Sequence, residues 1–156
     1  MKGSANCKIE IKNNRFVIAG ISIGLPGGLY LTTHPSYESE NILVFSDKEQ
    51  TFYIEVQAEE NDDSLENSLR NEMQQNRYTV LTDITPMSLN ELNGCYAIYA
   101  NSENEYYDAR IQKPQAAKQH LEILITAEKG AREIQSILSL TEVTGLLNNI
   151  SSVSTT

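Results

Sequence analysis

The 156-residue sequence predicts an α+β domain in which an antiparallel β-sheet is flanked by helices. Short segments that alternate apolar and polar residues indicate strands, and turn-forming residues between them favour hairpins. One acidic segment instead repeats apolar residues every four positions, as on one face of a helix. We expect a single domain at residues 1–150 and a polar C-terminal tail at residues 151–156.

The first third of the chain is predicted to contain strands joined by tight turns. In "KIEIK", isoleucines alternate with charged residues, and the Asn-Asn pair that follows favours a hairpin back through Arg15–Ile18. "ISIGL" alternates again before Pro-Gly-Gly, and "NILVF" and "TFYIEVQ" flank "SDKEQ" as a further hairpin. In that hairpin we expect Phe52, Ile54 and Val56 to face the core.

The segment "ENDDSLENSLRNEMQQNRY" predicts an amphipathic helix. Leu65, Leu69 and Met73 are spaced by four residues, which places them on one buried stripe. Asp63 is the predicted N-cap, and Glu66 completes a capping box. The acidic residues at this end suit the helix dipole and lack the spacing of a calcium-binding loop, so we expect no metal site.

The second half of the chain predicts two strands around "CYAIYANSENEYYDARIQ", the strand "HLEILIT" and a closing helical region. With a loop centred on residues 103–104, Ala100 pairs with Tyr107 and one face of the hairpin is uniformly apolar. The closing region runs from Ile134 to about Ile150, and Gly145 is expected to break it.

The opposite face of this hairpin supplies the candidate partner-binding residues, Tyr99, Tyr106 and Arg110. Tyrosine and arginine are enriched among the residues that contribute most to protein–protein binding. Three alternatives remain open. Cross-strand tyrosine and arginine pairs also stabilise ordinary sheets, a helix could cover this face, and a three-residue loop would exchange the two faces.

The net charge of −9 excludes no fold but argues against nucleic-acid binding, because the chain has no basic patch. No apolar segment approaches the length of a membrane span, and no signal peptide is visible, so we expect a cytoplasmic protein. The alternative is an extracytoplasmic lipoprotein trimmed before Cys7. Cys7 and Cys95 are too few for a disulfide scaffold and are expected to be free thiols, with a disulfide between them as the alternative if the fold brings them together.

No pattern in the sequence predicts catalysis. The Gly24–Gly28 loop lacks the glycine and lysine spacing of a nucleotide-binding loop, so it is interpreted as a bend between two strands. The two histidines, His34 and His120, form no zinc motif, and no serine nucleophile motif is present. His34 is expected to be an exposed loop residue, and Cys95 a structural residue at a strand start. We expect no cofactor.

Three features occur together between Arg15 and Ile150. They are the strand opening "ISIGLPGG", the strand entry "MSLNELNGCYAIYA" and the element order of strands, helix, strands and helix. This combination resembles the PsbP/Mog-like family, which includes DcrB-type bacterial proteins. The resemblance implies an α/β/α sandwich whose members mostly bind or assemble with other proteins and generally do not catalyse reactions. No functional residue of the family carries over to this chain.

The sequence therefore predicts a non-enzymatic binding or adaptor protein of bacterial type with an unidentified protein partner, and it leaves a homodimer open. The alternative is a small-molecule-binding protein or a hydrolase with a cleft that the sequence does not reveal.

Overall fold

The computed structural model describes residues 10–12, 15–18, 20–24, 27–32, 42–60, 62–90, 92–113 and 119–152. Within these ranges the protein is mainly β, with two antiparallel sheets and three short helices. The predicted α+β, PsbP-like α/β/α sandwich is wrong, because much of one face of the main sheet is covered by a second sheet rather than by a helical layer. His34 and Cys7 lie outside the described residues.

The strands follow the chain in short hairpins, and the helices lie between β6 and β7 and between β10 and β11. The elements are β1 (Glu10–Lys12), β2 (Arg15–Ile18), β3 (Ile21–Gly24), β4 (Tyr30–Leu31), β5 (Ile42–Ser46), β6 (Phe52–Glu60), α1 (Leu65–Gln75), β7 (Thr79–Leu89), β8 (Leu92–Ala100), β9 (Asn104–Gln112), β10 (Gln119–Glu128), α2 (Ile134–Leu138), α3 (Thr141–Asn148) and β11 (Ile150–Ser152).

The large sheet has seven strands in the order β4-β5-β6-β10-β9-β8-β7, and the small sheet has four in the order β1-β2-β3-β11. The main core lies between them, where Phe16 of β2 and Phe45 of β5 pack edge to face with ring centroids 5.3 Å apart. As predicted, Phe52, Ile54 and Val56 are buried in this core. Strict alternation along β6 places these side chains on one face.

Helix α1 packs on the other face of the large sheet, whereas α2 and α3 pack against the main core. The predicted stripe is confirmed, because Leu65, Leu69 and Met73 are all buried. The predicted N-cap is off by one residue. Ser64 caps the helix, and its hydroxyl accepts a hydrogen bond of 3.1 Å from the Asn67 backbone N–H.

The closing helical region is interrupted before Gly145, not at it. Helix α2 ends at Leu138, and the extended backbone of Leu140 starts α3, which contains Gly145. Glycine costs about 1 kcal/mol within a helix. Buried Val143 and Leu146 anchor α3 on both sides of the glycine, so packing outweighs this cost.

Two further differences concern strands. Strand β7 is eleven residues long at one edge of the large sheet, yet no strand was predicted there. Ser151 and Ser152, which we assigned to the tail, belong to β11 and pair with Ser22 and Ile21 of β3. None of the described helices has the length and apolar character needed to cross a membrane.

The β8–β9 hairpin has a different register from the one predicted. Ala100 pairs with Glu105, two residues from the expected Tyr107. The loop closes early because the Asn101 side-chain oxygen accepts hydrogen bonds from the backbone N–H groups of Glu103 (2.9 Å) and Asn104 (2.7 Å). A shift of two residues keeps every side chain on its predicted face.

Candidate functional site

The candidate site is the face of the large sheet that carries α1, called here the helix-bearing face. Cross-strand pairing shows which side chains of the four central strands lie on it. On β6 and β8 these are the odd-numbered residues, from Tyr53 to Glu59 and from Cys95 to Tyr99. On β10 and β9 they are the even-numbered residues, from His120 to Thr126 and from Tyr106 to Arg110. The face is unusual because charged side chains occupy its centre.

Helix α1 covers the β7–β8–β9 half of this face. Its buried stripe packs in a second apolar cluster with Cys95, Ala97 and Tyr99. Cys95 is a free thiol, as predicted, and burial raises its pKa to about 11. A thiol with such a pKa stays protonated at neutral pH and is a poor nucleophile.

Arg110 is the centre of a buried ion-pair network between α1 and the sheet. Its Nε and Nη2 donate to the two carboxylate oxygens of Asp108 at 2.9 and 3.0 Å, and Nη2 also lies 2.8 Å from Glu122 Oε2. Nη1 donates to the Ser68 hydroxyl of α1 at 2.7 Å. The guanidinium therefore connects two strands to the helix.

The pKa of Arg110 shows how strongly its partners compensate for burial. Burial alone lowers the pKa of the guanidinium, but the hydrogen bond and charge of Asp108, with the charges of Glu122 and Glu59, raise it above its ordinary value. Arg110 is therefore charged at every physiological pH.

Glu122 shares the guanidinium with Asp108. Burial and then the charge of Asp108 raise the pKa of Glu122, against the opposing effect of Arg110. Its other oxygen accepts a 2.9 Å hydrogen bond from the Gln57 amide. Two carboxyl groups beside one cation favour retention of a proton, so this network responds to pH.

Tyr99 donates a 2.7 Å hydrogen bond to Asp108 Oδ2. Burial and then Asp108 raise the pKa of Tyr99 above its ordinary value. Its ring lies 4.5 Å from that of Tyr78 and 5.3 Å from that of Tyr106, centroid to centroid. These three rings pack together at the end of the contact between α1 and the sheet, beyond the Arg110 ion pairs.

His120 is fully buried at the other end of the face, where it pairs across the strands with Glu59. Neither ring nitrogen has a hydrogen-bond partner among the residues that the structure describes. Burial lowers the pKa of His120; Arg110 adds to this effect, and Glu59 and Asp63 oppose it. The neutral ring is therefore favoured near neutral pH.

The three candidate residues from the sequence come together on this face, but not as a solvent-facing patch. Tyr99 is 2% exposed and Arg110 is 4% exposed, while Tyr106 is half-buried, so of the alternatives that the sequence left open the structure shows the covering helix. Helix α1 covers them, and direct contact with a partner would require the helix to move. Their role in binding stays a prediction.

The β4–β5–β6 part of the helix-bearing face is called here the open half. Tyr30 of β4 pairs with Ser46 of β5, which pairs with Tyr53 of β6, so the two tyrosines flank one small residue. Tyr30 is 53% exposed and Tyr53 is 40% exposed. Tyr30 also lines a shallow cavity of about 270 Å³, together with Asp47, Lys48 and Gln50.

The turn that borders the open half is tightly held. The Asp47 carboxylate accepts hydrogen bonds of 2.6 Å from both the backbone N–H and the hydroxyl of Thr51, and it lies 3.6 Å from Arg132. Burial alone raises the pKa of Asp47, but these hydrogen bonds lower it overall. Gln50 closes the turn at a φ of 57°, which is uncommon for a residue with a side chain. The turn therefore presents a defined surface.

A second cavity of about 380 Å³ lies where α1 begins, between the helix and strands β7 and β8. Ser64, Ile84, Asn93, Cys95 and Gln112 are among its lining residues. Within the described ranges, no three or more His, Cys, Asp or Glu side chains are placed to hold a metal ion.

Sequence reasoning missed most of the buried network. Asp108, which strand alternation places on the same face as Arg110, was not chosen as a candidate, and Ser68, Gln57, Glu122 and His120 were not considered together. One signal was available: Glu122 interrupts the apolar strand "HLEILIT", and an acidic residue there needs a buried partner.

Comparison with solved structures identifies a crystal structure from Bacteroides thetaiotaomicron VPI-5482 as similar in fold. The TM-score is 0.51 at 14% sequence identity. The similarity covers 94% of this chain and 48% of the other, so this chain spans about half the length of that protein. No family model and no curated protein matches the sequence.

Proposed function

We propose that this chain is a non-enzymatic binding module that takes a protein partner on the open half of its helix-bearing face. The observation that carries the proposal is the pair of exposed tyrosines, Tyr30 on β4 and Tyr53 on β6, which lie on either side of β5 on one face of the sheet. Tyrosine is enriched at binding hot spots because its ring offers a large contact area with few rotatable bonds.

The surroundings of the two tyrosines support this proposal. The ordered Asp47–Gln50 turn borders the same surface, whereas the exposed Leu31 pairs with Phe45 and lies on the opposite face of the sheet. A preorganised surface loses less conformational entropy on binding than a mobile one. The shallow cavity beside Tyr30 suits a protruding side chain better than an enclosed substrate.

A small-molecule binder is the second candidate. The cavity of about 380 Å³ at the start of α1 supports it, since ligand pockets commonly measure about 300–1,000 Å³. The adaptor role that the PsbP-like resemblance implies, the cytoplasmic location and the homodimer stay predictions.

The test compares partner capture by wild-type protein, by a Tyr30→Ser/Tyr53→Ser variant and by a Val80→Ser/Leu81→Ser variant. Val80 and Leu81 are exposed apolar residues on the opposite edge strand, so their variant controls for lost apolar surface. We expect a partner that cross-links to the wild type and the control but not to the tyrosine variant. Equal capture by both variants, each with a wild-type urea midpoint, would contradict the proposal.

A further inference from the structure

We infer that the open half recognises a cationic segment of its partner, with an arginine or lysine side chain placed against Glu55 and beside Tyr53. This inference rests on the proposed function and names the chemistry of the partner.

Glu55 is a carboxylate without a compensating cation. It lies on β6 between Val44 of β5 and Leu124 of β10, its two apolar cross-strand neighbours. It is half-buried, and no hydrogen bond or ion pair joins it to any residue within the described ranges. Burial raises the pKa of Glu55, and no charged neighbour contributes to this shift. A carboxylate in such surroundings gains most from an incoming positive charge.

The neighbouring charges do not provide that cation. Arg110 is the positive group at the centre of the face, and Asp108 and Glu122 both contact it. Glu59, on the same side of β6 and 37% exposed, also lies 3.9 Å from this guanidinium, so Arg110 already serves three carboxylates. The whole chain carries a net charge of −9, which attracts a basic partner over a longer range.

The aromatic residues define where the cationic group would lie. Tyr53 precedes Glu55 by two residues on the same face, a separation of about 7 Å between Cα atoms. A guanidinium or ammonium group between them contacts the carboxylate and a tyrosine ring together, which combines an ion pair with a cation–π interaction. The methylene groups of the same side chain can pack on the half-buried Leu124, whereas Val44 is itself buried.

The occupant is a polypeptide rather than a free ion. The described residues offer no metal-binding group, and the exposed Tyr30 lies two strands from Tyr53, about 10 Å away. An extended segment crosses this distance in about three residues, so one residue can contact each tyrosine.

The experiment measures the affinity of a fluorescent peptide of alternating arginine and alanine by fluorescence polarisation. A peptide with citrulline in place of arginine has the same shape without the charge. The protein variants are Glu55→Gln and Glu133→Gln. Glu133 is an exposed residue at the start of α2, away from the helix-bearing face, so both variants change the net charge equally.

We expect the arginine peptide to bind the wild type and Glu133→Gln equally and Glu55→Gln about tenfold more weakly. Any of three results would overturn the inference. The arginine peptide binds Glu55→Gln and Glu133→Gln with equal affinity, or the wild type binds the arginine and citrulline peptides equally, or the arginine peptide does not bind at all. If free arginine methyl ester competes with the peptide at the same concentration, the inference that the occupant is a polypeptide is overturned. If capture still depends on Tyr30 and Tyr53 in these cases, the proposed function stands without its cationic partner.

Discussion

Arg110 and Asp108 lie two residues apart on β9 and form a two-point ion pair beneath α1, with N–O distances of 2.9 and 3.0 Å. Both side chains are almost completely buried. The same guanidinium reaches Ser68 of α1 and Glu122 of β10, so this pair joins the helix to two strands. Burial of two charges is costly, and their mutual contacts offset that cost.

Loss of one partner of this pair should destabilise the fold strongly. We expect Arg110→Gln to lower the free energy of unfolding by about 3–5 kcal/mol, because the Asp108 carboxylate would remain buried without its cation. The double variant Asp108→Asn/Arg110→Gln should lose much less than the sum of the single variants. Urea unfolding of all four proteins measures this coupling, and additive losses would show that the pair contributes no mutual stabilisation.

The packing of α1 can be tested at Leu69. This residue is fully buried at the centre of the helix stripe, so Leu69→Ala should lower the free energy of unfolding by about 2–5 kcal/mol. Arg70→Ala, at the next position on the exposed side, serves as the matched control and should change stability by less than about 1 kcal/mol. An unchanged urea midpoint for Leu69→Ala would mean that α1 does not pack as described.

Glu122 should make stability fall as pH rises. Its pKa is raised from 4.5 to about 8 in the folded protein, so the folded state holds a proton that the unfolded state releases. The contribution of this proton to the free energy of unfolding is complete below pH 4.5 and is lost as pH rises through about 8. Glu122→Gln should remove this slope, while Glu128→Gln, an exposed change on the same strand, should keep it. Equal slopes in the two variants would refute the assignment.

His120 should have the opposite effect at acidic pH. Burial lowers its pKa below 6.5, so its contribution is present above pH 6.5 and is lost as pH falls towards the folded value. His120→Leu removes the titration and also the buried, unpartnered ring nitrogens. We expect this variant to be at least as stable as the wild type near neutral pH and to lose less stability on acidification. Urea midpoints across this pH range decide the question, and an unchanged acid slope would exclude His120 as its source.

Local sequence patterns predicted the elements whose two faces differ strongly. The alternation in β6 and the four-residue spacing in α1 each mark one buried face, and the structure confirms both. Strand β7 was missed because it lies at an edge and is largely exposed, so its sequence shows no alternation. Two register shifts and Pro86 within it weaken the pattern further.

The sequence by itself determined which residues within β8 and within β9 share a face, because side chains alternate along a strand. The loop in the structure then keeps the predicted combination of the two strands, since a shift of two residues does not change the side of any residue. Only the tertiary structure decided that α1 lies over Tyr99 and Arg110 and that Tyr30 and Tyr53 remain open to solvent. The covering of a face depends on where an element distant in sequence packs. That packing is set by the summed contacts of the whole chain, and short-range periodicity does not encode it.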